Sequence, residues 1–237
     1  MPPADRVVLV TGATGQLGRV VVASWATAGA QLALAGTDLD RLTALADEHD
    51  LPDERWLPVV GDLAKPEGAR SAADAVHDRF GRVDVLAHLV GGWAGGTPVV
   101  DLDRDEVAHM LDQHLWSTLH VVQAIVPGMV ERAWGRVVAV TSPFAVKPNA
   151  KSGSYAVAKA AEEALLNVLA REVADTGVTV NVVSVRTIDG KRERETEPSP
   201  KNRAWTTPDE IASTLDFLCS DEAAAVNGAR IPLEGRG

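Results

Sequence analysis

Seven short apolar runs alternate with longer segments of helical pattern along this chain. The runs are rich in valine, leucine and alanine, which is typical of strands that are buried on both faces of a sheet. An alternation of strand and helix predicts a parallel sheet with helices on both faces, and therefore an α/β fold. The predicted strands are Val7–Val10, Gln31–Ala35, Trp56–Val60, Val83–Leu89, Arg136–Val140, Val178–Val183 and Ala229–Leu233, with helices near residues 15–28, 38–49, 66–80, 103–130, 153–175 and 208–220.

The first predicted strand leads directly into a glycine-rich turn, Thr11–Gly18, and a helical segment follows. Glycines allow backbone N–H groups to approach a pyrophosphate, which then lies at the positive end of the helix. A simple tight turn is the alternative interpretation of a glycine cluster, but the flanking strand and helix favour cofactor binding. The segment therefore predicts a Rossmann-type, doubly wound fold. The phosphate contacts are expected from Gly12, Thr14, Gly15, Gln16, Leu17 and Gly18.

Tyr155 and Lys159 suggest acid–base chemistry. They are four residues apart and so share one face of a predicted helix, while Ser142 ends the apolar run before it. A free phenol titrates near pH ~10, and a neighbouring ammonium lowers its pKa toward the range in which general acid–base catalysis is efficient. The serine hydroxyl can hold a carbonyl or alcohol oxygen beside the phenol. Alone, this spacing is a weak pattern, and its weight comes from its surroundings.

In order along the chain, these features resemble the short-chain dehydrogenase/reductase family. The resemblance covers nearly all of the chain and includes the glycine turn, Asp62-Leu63, Val90-Gly91-Gly92, Ser142, Tyr155, Lys159, Asn181, Thr187-Ile188 and Asn227-Gly228. It implies an oxidoreductase that moves a hydride between a nicotinamide cofactor and a carbonyl or secondary alcohol. Tyr155 would transfer the proton, Lys159 would bind the nicotinamide ribose and lower the pKa of the phenol, and Ser142 would position the substrate oxygen.

The same resemblance implies the remaining ligand contacts. Trp93, Ser142 and Phe144 are expected to line the substrate site. Besides the glycine turn, the cofactor is expected to contact Thr37, Asp38, Asp62, Leu63, Val90, Gly91, Gly92, Tyr155, Lys159, Thr187 and Ile188. Asp62 would bond the adenine amine, with a turn cap as its alternative role.

The end of the second strand bears on the choice between NAD and NADP. Relatives that use NAD usually carry aspartate where Gly36 stands, and relatives that use NADP usually carry arginine where Thr37 stands. Neither residue is present here. Asp38 would repel a 2′-phosphate if it points inward, whereas Arg41 or Arg19 would attract one. The balance slightly favours NAD.

Some residues depart from the family pattern. His114 stands where the family usually has a water-holding asparagine, so it is either a relay residue or a packed helix residue. Arg186 places a guanidinium near the nicotinamide end. The segment Gly91–Gly96 resembles the corresponding part of dihydropteridine reductase, a member of the family, and Trp93 could stack on a pterin. Ser142, which that enzyme lacks, counts against pterin reduction here.

The stretch 189–205 is rich in charge and proline and follows the sixth predicted strand, so a lid over the substrate is expected there. A solvated loop is the alternative. Its cations Lys191, Arg192, Arg194, Lys201 and Arg203 could meet an anionic substrate, although glutamates alternate with them. Immediately after it, Thr207–Glu210 combines a capping box with proline at the first helical position.

Composition sets the remaining expectations. The length of 237 residues predicts one domain over residues 1–237. A net charge of −10 argues against nucleic-acid binding, and no apolar stretch is long enough to span a membrane. With Cys219 alone, no internal disulfide can form, and no residues have metal-ligand spacing, so we expect a cytoplasmic protein without a metal. The family resemblance implies a homotetramer or homodimer. A non-catalytic cofactor-binding sensor or scaffold remains the alternative to an enzyme.

Overall fold

The computed structural model describes residues 5–233 and contains a sheet of seven parallel strands. The strands are β1 (Val7–Thr11), β2 (Gln31–Gly36), β3 (Trp56–Val60), β4 (Val85–His88), β5 (Gly135–Thr141), β6 (Val178–Val185) and β7 (Arg230–Leu233). The helices are α1 (Gln16–Thr27), α2 (Leu39–Glu48), α3 (Pro66–Phe80), α4 (Arg104–Leu111), α5 (Ser117–Glu131), α6 (Gly153–Glu172), α7 (Glu193–Thr196) and α8 (Pro208–Leu218).

The strand order is β3-β2-β1-β4-β5-β6-β7, so the direction of winding reverses between β1 and β4. In a doubly wound sheet, ligands bind at this reversal, beyond the carboxyl ends of the strands. The predicted α/β fold of Rossmann type is therefore confirmed. The observed bounds of β4, Val85–His88, are shorter than the predicted 83–89. The strand begins after Asp84, whose side-chain carboxylate accepts a hydrogen bond from the Val7 amide at 3.0 Å.

The core lies on both faces of the sheet because successive strand residues point in opposite directions. Val7 and Leu9 of β1 belong to one buried cluster, and Val8 and Val10 belong to the other. Burial of each such side chain contributes about 1.5–3 kcal/mol. A core of this kind fixes the strand ends rigidly, which positions the loops that follow them. No helix within residues 5–233 has the length and apolar composition needed to span a membrane.

The helix predicted over 103–130 is interrupted. After α4 the backbone forms a π-helical segment, Asp112–Trp116, before α5 begins. Two hydroxyl groups stabilise this change in winding, since Ser117 donates to Gln113 O at 2.6 Å and Thr118 donates to His114 O. Such π segments are frequent at functional sites. Here the segment buries His114 completely.

The predicted lid, residues 189–205, contains the short helix α7 and is held against the start of α8. The buried carboxylate of Asp189 accepts hydrogen bonds from the amides of Glu193 and Arg194, at 2.8 and 2.9 Å. Two of the cations expected to meet a substrate are instead paired with carboxylates of α8: Arg192 with Asp209 and Arg194 with Glu210. These contacts show how the segment is anchored, and its role as a lid stays a prediction.

The N-terminus of α8 has the predicted cap. The Thr207 hydroxyl accepts from the amide of Glu210, and the Glu210 carboxylate accepts from the amide of Thr207. Because each cap of this kind stabilises a helix by about 1 kcal/mol, α8 begins at a defined residue.

Candidate active site

A cavity of about 630 Å³ opens at the carboxyl ends of the strands, where the strand order reverses. The structure places most of the predicted site residues around it. They are Gly12, Gly15, Gln16, Leu17, Gly18, Val90, Gly91, Gly92, Trp93, His114, Ser142, Phe144, Tyr155, Lys159, Thr187 and Ile188. Arg186 also lines the cavity, and its side chain is exposed.

The glycine turn fits the phosphates of a dinucleotide. Gly12 has φ +69°, and a Cβ there would lie 2.7 Å from Leu89 O, so only glycine suits the position. A Cβ on Gly18 would lie 2.4 Å from Gly12 O. Helix α1 begins at Gln16 and has no side-chain cap, which leaves its first N–H groups available to an anion. The turn therefore provides a backbone cradle at the positive end of a helix.

Five of the predicted cofactor residues do not line this cavity: Thr14, Thr37, Asp38, Asp62 and Leu63. The Asp38 carboxylate caps α2 by accepting from the Arg41 amide at 3.2 Å. The Asp62 carboxylate accepts from the Ala64 amide at 3.0 Å, which is the turn-cap geometry of its alternative role. Leu63 is buried in the core. Contacts to adenosine from these residues stay a prediction.

The two arginines that could attract a 2′-phosphate differ in their pairing. Arg41 reaches back to the glycine turn and donates to Thr14 O at 3.2 Å. Arg19 forms an ion pair with Glu48 on α2. The positive charge of Arg19 is thus compensated, whereas the Arg41 guanidinium contacts only a neutral carbonyl among the hydrogen bonds of residues 5–233.

Tyr155 lies in the first turn of α6 and faces the cavity between two other rings. Its ring meets Phe144 edge-on at a centroid distance of 6.2 Å and His114 edge-on at 5.6 Å. Edge-to-face contacts of this kind are favourable and fix ring orientation. The buried Ser142 directly follows β5, and its Oγ accepts from the Phe144 amide at 3.3 Å. Strand β5 and helix α6 therefore bring Ser142 and Tyr155 to the same cavity.

Lys159 is buried and already has two partners. Its Nζ donates to Val140 O at 2.8 Å and to Glu162 Oε2 at 2.6 Å. Glu162 is only 1% exposed, so its carboxylate is almost completely removed from water. Burial raises the pKa of Glu162, and the ammonium of Lys159 opposes that rise. The cation expected beside Tyr155 thus comes with its own buried anion.

His114 is buried at the cavity wall. Its Nε2 lies 3.1 Å from Gly92 O, which can only accept a hydrogen bond, so Nε2 carries the proton. Its Nδ1 has no hydrogen-bond partner and lies 3.9 Å from Glu162 Oε2. Burial, and then the charge of Lys159, lowers the pKa of His114 to about 3. The imidazole is therefore neutral at physiological pH.

Sequence reasoning missed several polar residues behind the site. His88 is buried at the end of β4, with Nδ1 2.9 Å from the Thr11 hydroxyl. Glu163 accepts from the Thr141 hydroxyl at 3.0 Å and from Arg230 Nε at 2.9 Å. The available signal was the pair of adjacent glutamates, Glu162 and Glu163, in a helix otherwise rich in alanine and leucine.

Trp93 and Trp116 differ in position. Trp93 lines the cavity and is 63% exposed, which leaves its ring available to a ligand. Trp116 is 40% exposed, stacks on His120 at a centroid distance of 6.2 Å and does not line the cavity. Of the two, only Trp93 is placed to contact a ligand there.

Comparison with known proteins agrees with this fold and identifies the family. Residues 6–200 match the family described as short chain dehydrogenase. The chain is 33% identical over 229 residues to the (2S)-[(R)-hydroxy(phenyl)methyl]succinyl-CoA dehydrogenase subunit of Thauera aromatica, covering 94% of this chain and 90% of the relative. It is 30% identical over 239 residues to D-threitol dehydrogenase of Mycolicibacterium smegmatis, covering 97% and 92%.

A solved structure of the same fold is L-sorbose reductase from Gluconobacter frateurii, complexed with NADPH and L-sorbose. The two folds superpose with a TM-score of 0.85 at 24% identity, over 99% of this chain and 97% of the other. The chain belongs to the short-chain dehydrogenase/reductase family. It is thereby an oxidoreductase of a family that binds NAD(P).

Proposed function

We propose that this protein transfers a hydride between a nicotinamide cofactor and a carbonyl or secondary alcohol, with Ser142, Tyr155 and Lys159 as its catalytic residues. The observation that carries the proposal is that all three side chains line the cavity that also contains the glycine turn. Two names among the relatives, D-threitol dehydrogenase and L-sorbose reductase, refer to polyol and sugar substrates, which supports this reaction class.

The residues divide the chemistry as follows. A bound nicotinamide ring supplies a hydride to the carbonyl carbon in reduction and accepts one in oxidation. Tyr155 Oη releases its proton to the substrate oxygen in reduction and, as a phenolate, removes the alcohol proton in oxidation. The Ser142 hydroxyl donates a hydrogen bond to the same oxygen and holds it beside the phenol. Lys159 uses its remaining N–H donor for the nicotinamide ribose.

Cofactor contacts are assigned to the backbone as well. The first N–H groups of α1 hold the pyrophosphate, while Thr187 and the backbone at Ile188 hold the carboxamide of the nicotinamide. We propose NAD ahead of NADP, because Asp38 places a negative charge after β2 and no arginine follows Gly36. Arg41, which approaches the glycine turn, is the feature that would favour NADP instead.

Turnover by defined variants tests the proposal. The protein is mixed with NADH or NADPH and a panel of ketones, quinones and quinonoid dihydropterin, and nicotinamide absorbance is followed. Tyr155→Phe is expected to lower turnover by at least about 100-fold, because it removes the transferable proton and little else. Val157→Ala is the matched control, since Val157 lies on the exposed face of α6 and should leave turnover unchanged.

The panel also separates the alternatives. Undiminished turnover by Tyr155→Phe contradicts the proton-transfer role. Tight cofactor binding without oxidation by any panel member indicates a sensor or scaffold. Preferential turnover of the dihydropterin supports pterin reduction, the second candidate, for which the exposed Trp93 ring at the cavity is the supporting observation. The presence of Ser142 favours the carbonyl substrates.

A further inference from the structure

Behind the proposed catalytic residues lies a buried carboxylate that the proposed chemistry does not use. Glu162 is 1% exposed and receives a 2.6 Å hydrogen bond from Lys159 Nζ. Burying a carboxylate is costly unless it is paired, so a residue of this kind bound to a lysine that lines the cavity suggests a role. We propose that Glu162 is the counter-charge of Lys159, which fixes the ammonium in place and weakens the positive field that Tyr155 experiences.

The positioning part of this role follows from donor counting. An ammonium has three N–H donors and no acceptor. In Lys159 one donor is used by Val140 O and a second by Glu162 Oε2, so one donor remains. A lysine bound twice at its tip cannot swing freely, and the remaining donor has a defined direction. Glu162 thereby acts through Lys159 as a positioning residue rather than by touching substrate.

The electrostatic part follows from the helix geometry. Tyr155, Lys159 and Glu162 succeed one another along α6, with the lysine between the other two. At about 1.5 Å rise per residue, the backbone positions of Lys159 and Glu162 lie about 6 Å and about 10 Å from that of Tyr155 along the axis. A unit charge at about 10 Å, at an effective dielectric constant of about 20, shifts the pKa of a titrating group by about one unit. Since an anion destabilises a phenolate, Glu162 opposes the stabilisation that Lys159 alone would give to a phenolate at Tyr155.

The groups around Glu162 favour this role over a proton relay. Thr118 on α5 donates to Glu162 Oε1 at 3.5 Å, and His114 Nδ1 lies 3.9 Å from Oε2, which is too long for a hydrogen bond. The far nitrogen of His114 faces Gly92 O, a carbonyl that cannot take a proton onward. Glu163, next along the chain, is paired with Arg230 instead. The closest charged partner of Glu162 is therefore Lys159.

The sequence offers a direct test, because Tyr155 is the only tyrosine of the 237 residues. A near-ultraviolet titration of tyrosinate in the protein alone reports this phenol and no other group of its type. The inference rests on the proposed function for its meaning, but this measurement needs neither substrate nor cofactor. The titration can therefore support the role of Glu162 in a protein that shows no turnover, and it can contradict that role in a protein that is active.

The comparison is between the unmodified protein, Glu162→Gln and Glu172→Gln. In Glu162→Gln the titration midpoint of Tyr155 is expected to fall by about one pH unit, because the nearby anion is gone and Lys159 remains. Glu172→Gln removes an exposed carboxylate at the far end of α6, about 25 Å from Tyr155 along the axis, and it should shift the midpoint by no more than a few tenths. Glu162→Asp keeps the charge and should stay near the unmodified midpoint. A midpoint in Glu162→Gln that is unchanged or higher overturns the proposal, as does an equal fall in Glu172→Gln.

A second test covers the case in which Glu162→Gln does not fold. The double variant Lys159→Met/Glu162→Met replaces the ion pair with apolar side chains of similar size, so neither charge is left unpaired. At an effective dielectric constant of about 20, removal of an uncompensated ammonium at about 6 Å would raise the midpoint by about two units. Because Glu162 offsets part of that field, the double variant should raise the midpoint by about one unit or less. A rise of about two units or more contradicts the proposal.

Discussion

Replacement of Gly18 with alanine tests the proposed phosphate cradle most directly. A Cβ at this position would lie 2.4 Å from Gly12 O and 2.5 Å from Ala13 O. Both atoms belong to the backbone, so neither can move aside as a flexible side chain would. Overpacking of this kind costs about 1–3 kcal/mol, and the backbone that must shift is the turn and first N–H groups of α1. Because every 1.4 kcal/mol corresponds to about a tenfold change in Kd, we expect cofactor binding to weaken by at least about fivefold.

Calorimetric titration with NADH and NADPH measures this effect, and urea unfolding measures the accompanying loss of stability. The matched control is Gly61→Ala, because a Cβ on Gly61 would approach no heavy atom closer than 3.9 Å and its φ is not positive. Gly61→Ala should bind the cofactor as the unmodified protein does. If Gly18→Ala binds both cofactors with unchanged affinity, the pyrophosphate does not lie on this turn and the site assignment is wrong.

The other predictions concern charge. Arg41→Ala should weaken NADPH binding about tenfold and NADH binding by less than about twofold, because only NADPH offers a 2′-phosphate to the guanidinium; equal losses would refute this. Glu163→Gln should lower the free energy of unfolding in urea by about 2 kcal/mol, because it leaves unpaired a guanidinium, that of Arg230, whose side chain is 27% exposed. Arg230→Met should lower it by more, because it leaves unpaired the carboxylate of Glu163, whose side chain is only 8% exposed. The reverse order would contradict this reasoning. Burial lowers the pKa of both His88 and His114 to about 3, so as the pH falls below about 6.5 only the unfolded chain binds protons there. Stability should fall by up to about 1.4 kcal/mol per pH unit for each histidine, and His114→Asn should make urea-derived stability fall less steeply; parallel curves would refute this.

The strands could be predicted from sequence because a parallel sheet covered on both faces requires uninterrupted apolar runs, which leave a strong pattern. The placement of Ser142 and Tyr155 followed from the family motif. Helical patterning gave no sign of the π-helical segment Asp112–Trp116, because α- and π-helices draw on similar residues and differ in hydrogen bonding. The charge state around Lys159 could not be predicted either. Glutamate three residues after lysine is common on exposed helices, and only the packing of α6 shows that Glu162 is buried.

The buried charges on and beside α6 form two neighbouring pairs, Lys159 with Glu162 and Arg230 with Glu163. Each pair is neutral as a whole, so the wall behind Ser142 and Tyr155 carries charge without a large net field. Removal of Lys159 or Arg230 would leave a carboxylate uncompensated in a site of low dielectric, which typically costs about 3–5 kcal/mol. Loss of either cation is therefore tolerated best with a matching change at its glutamate. By the same reasoning, the charged neighbour of Tyr155 on α6 is the Lys159–Glu162 pair and not the lysine alone.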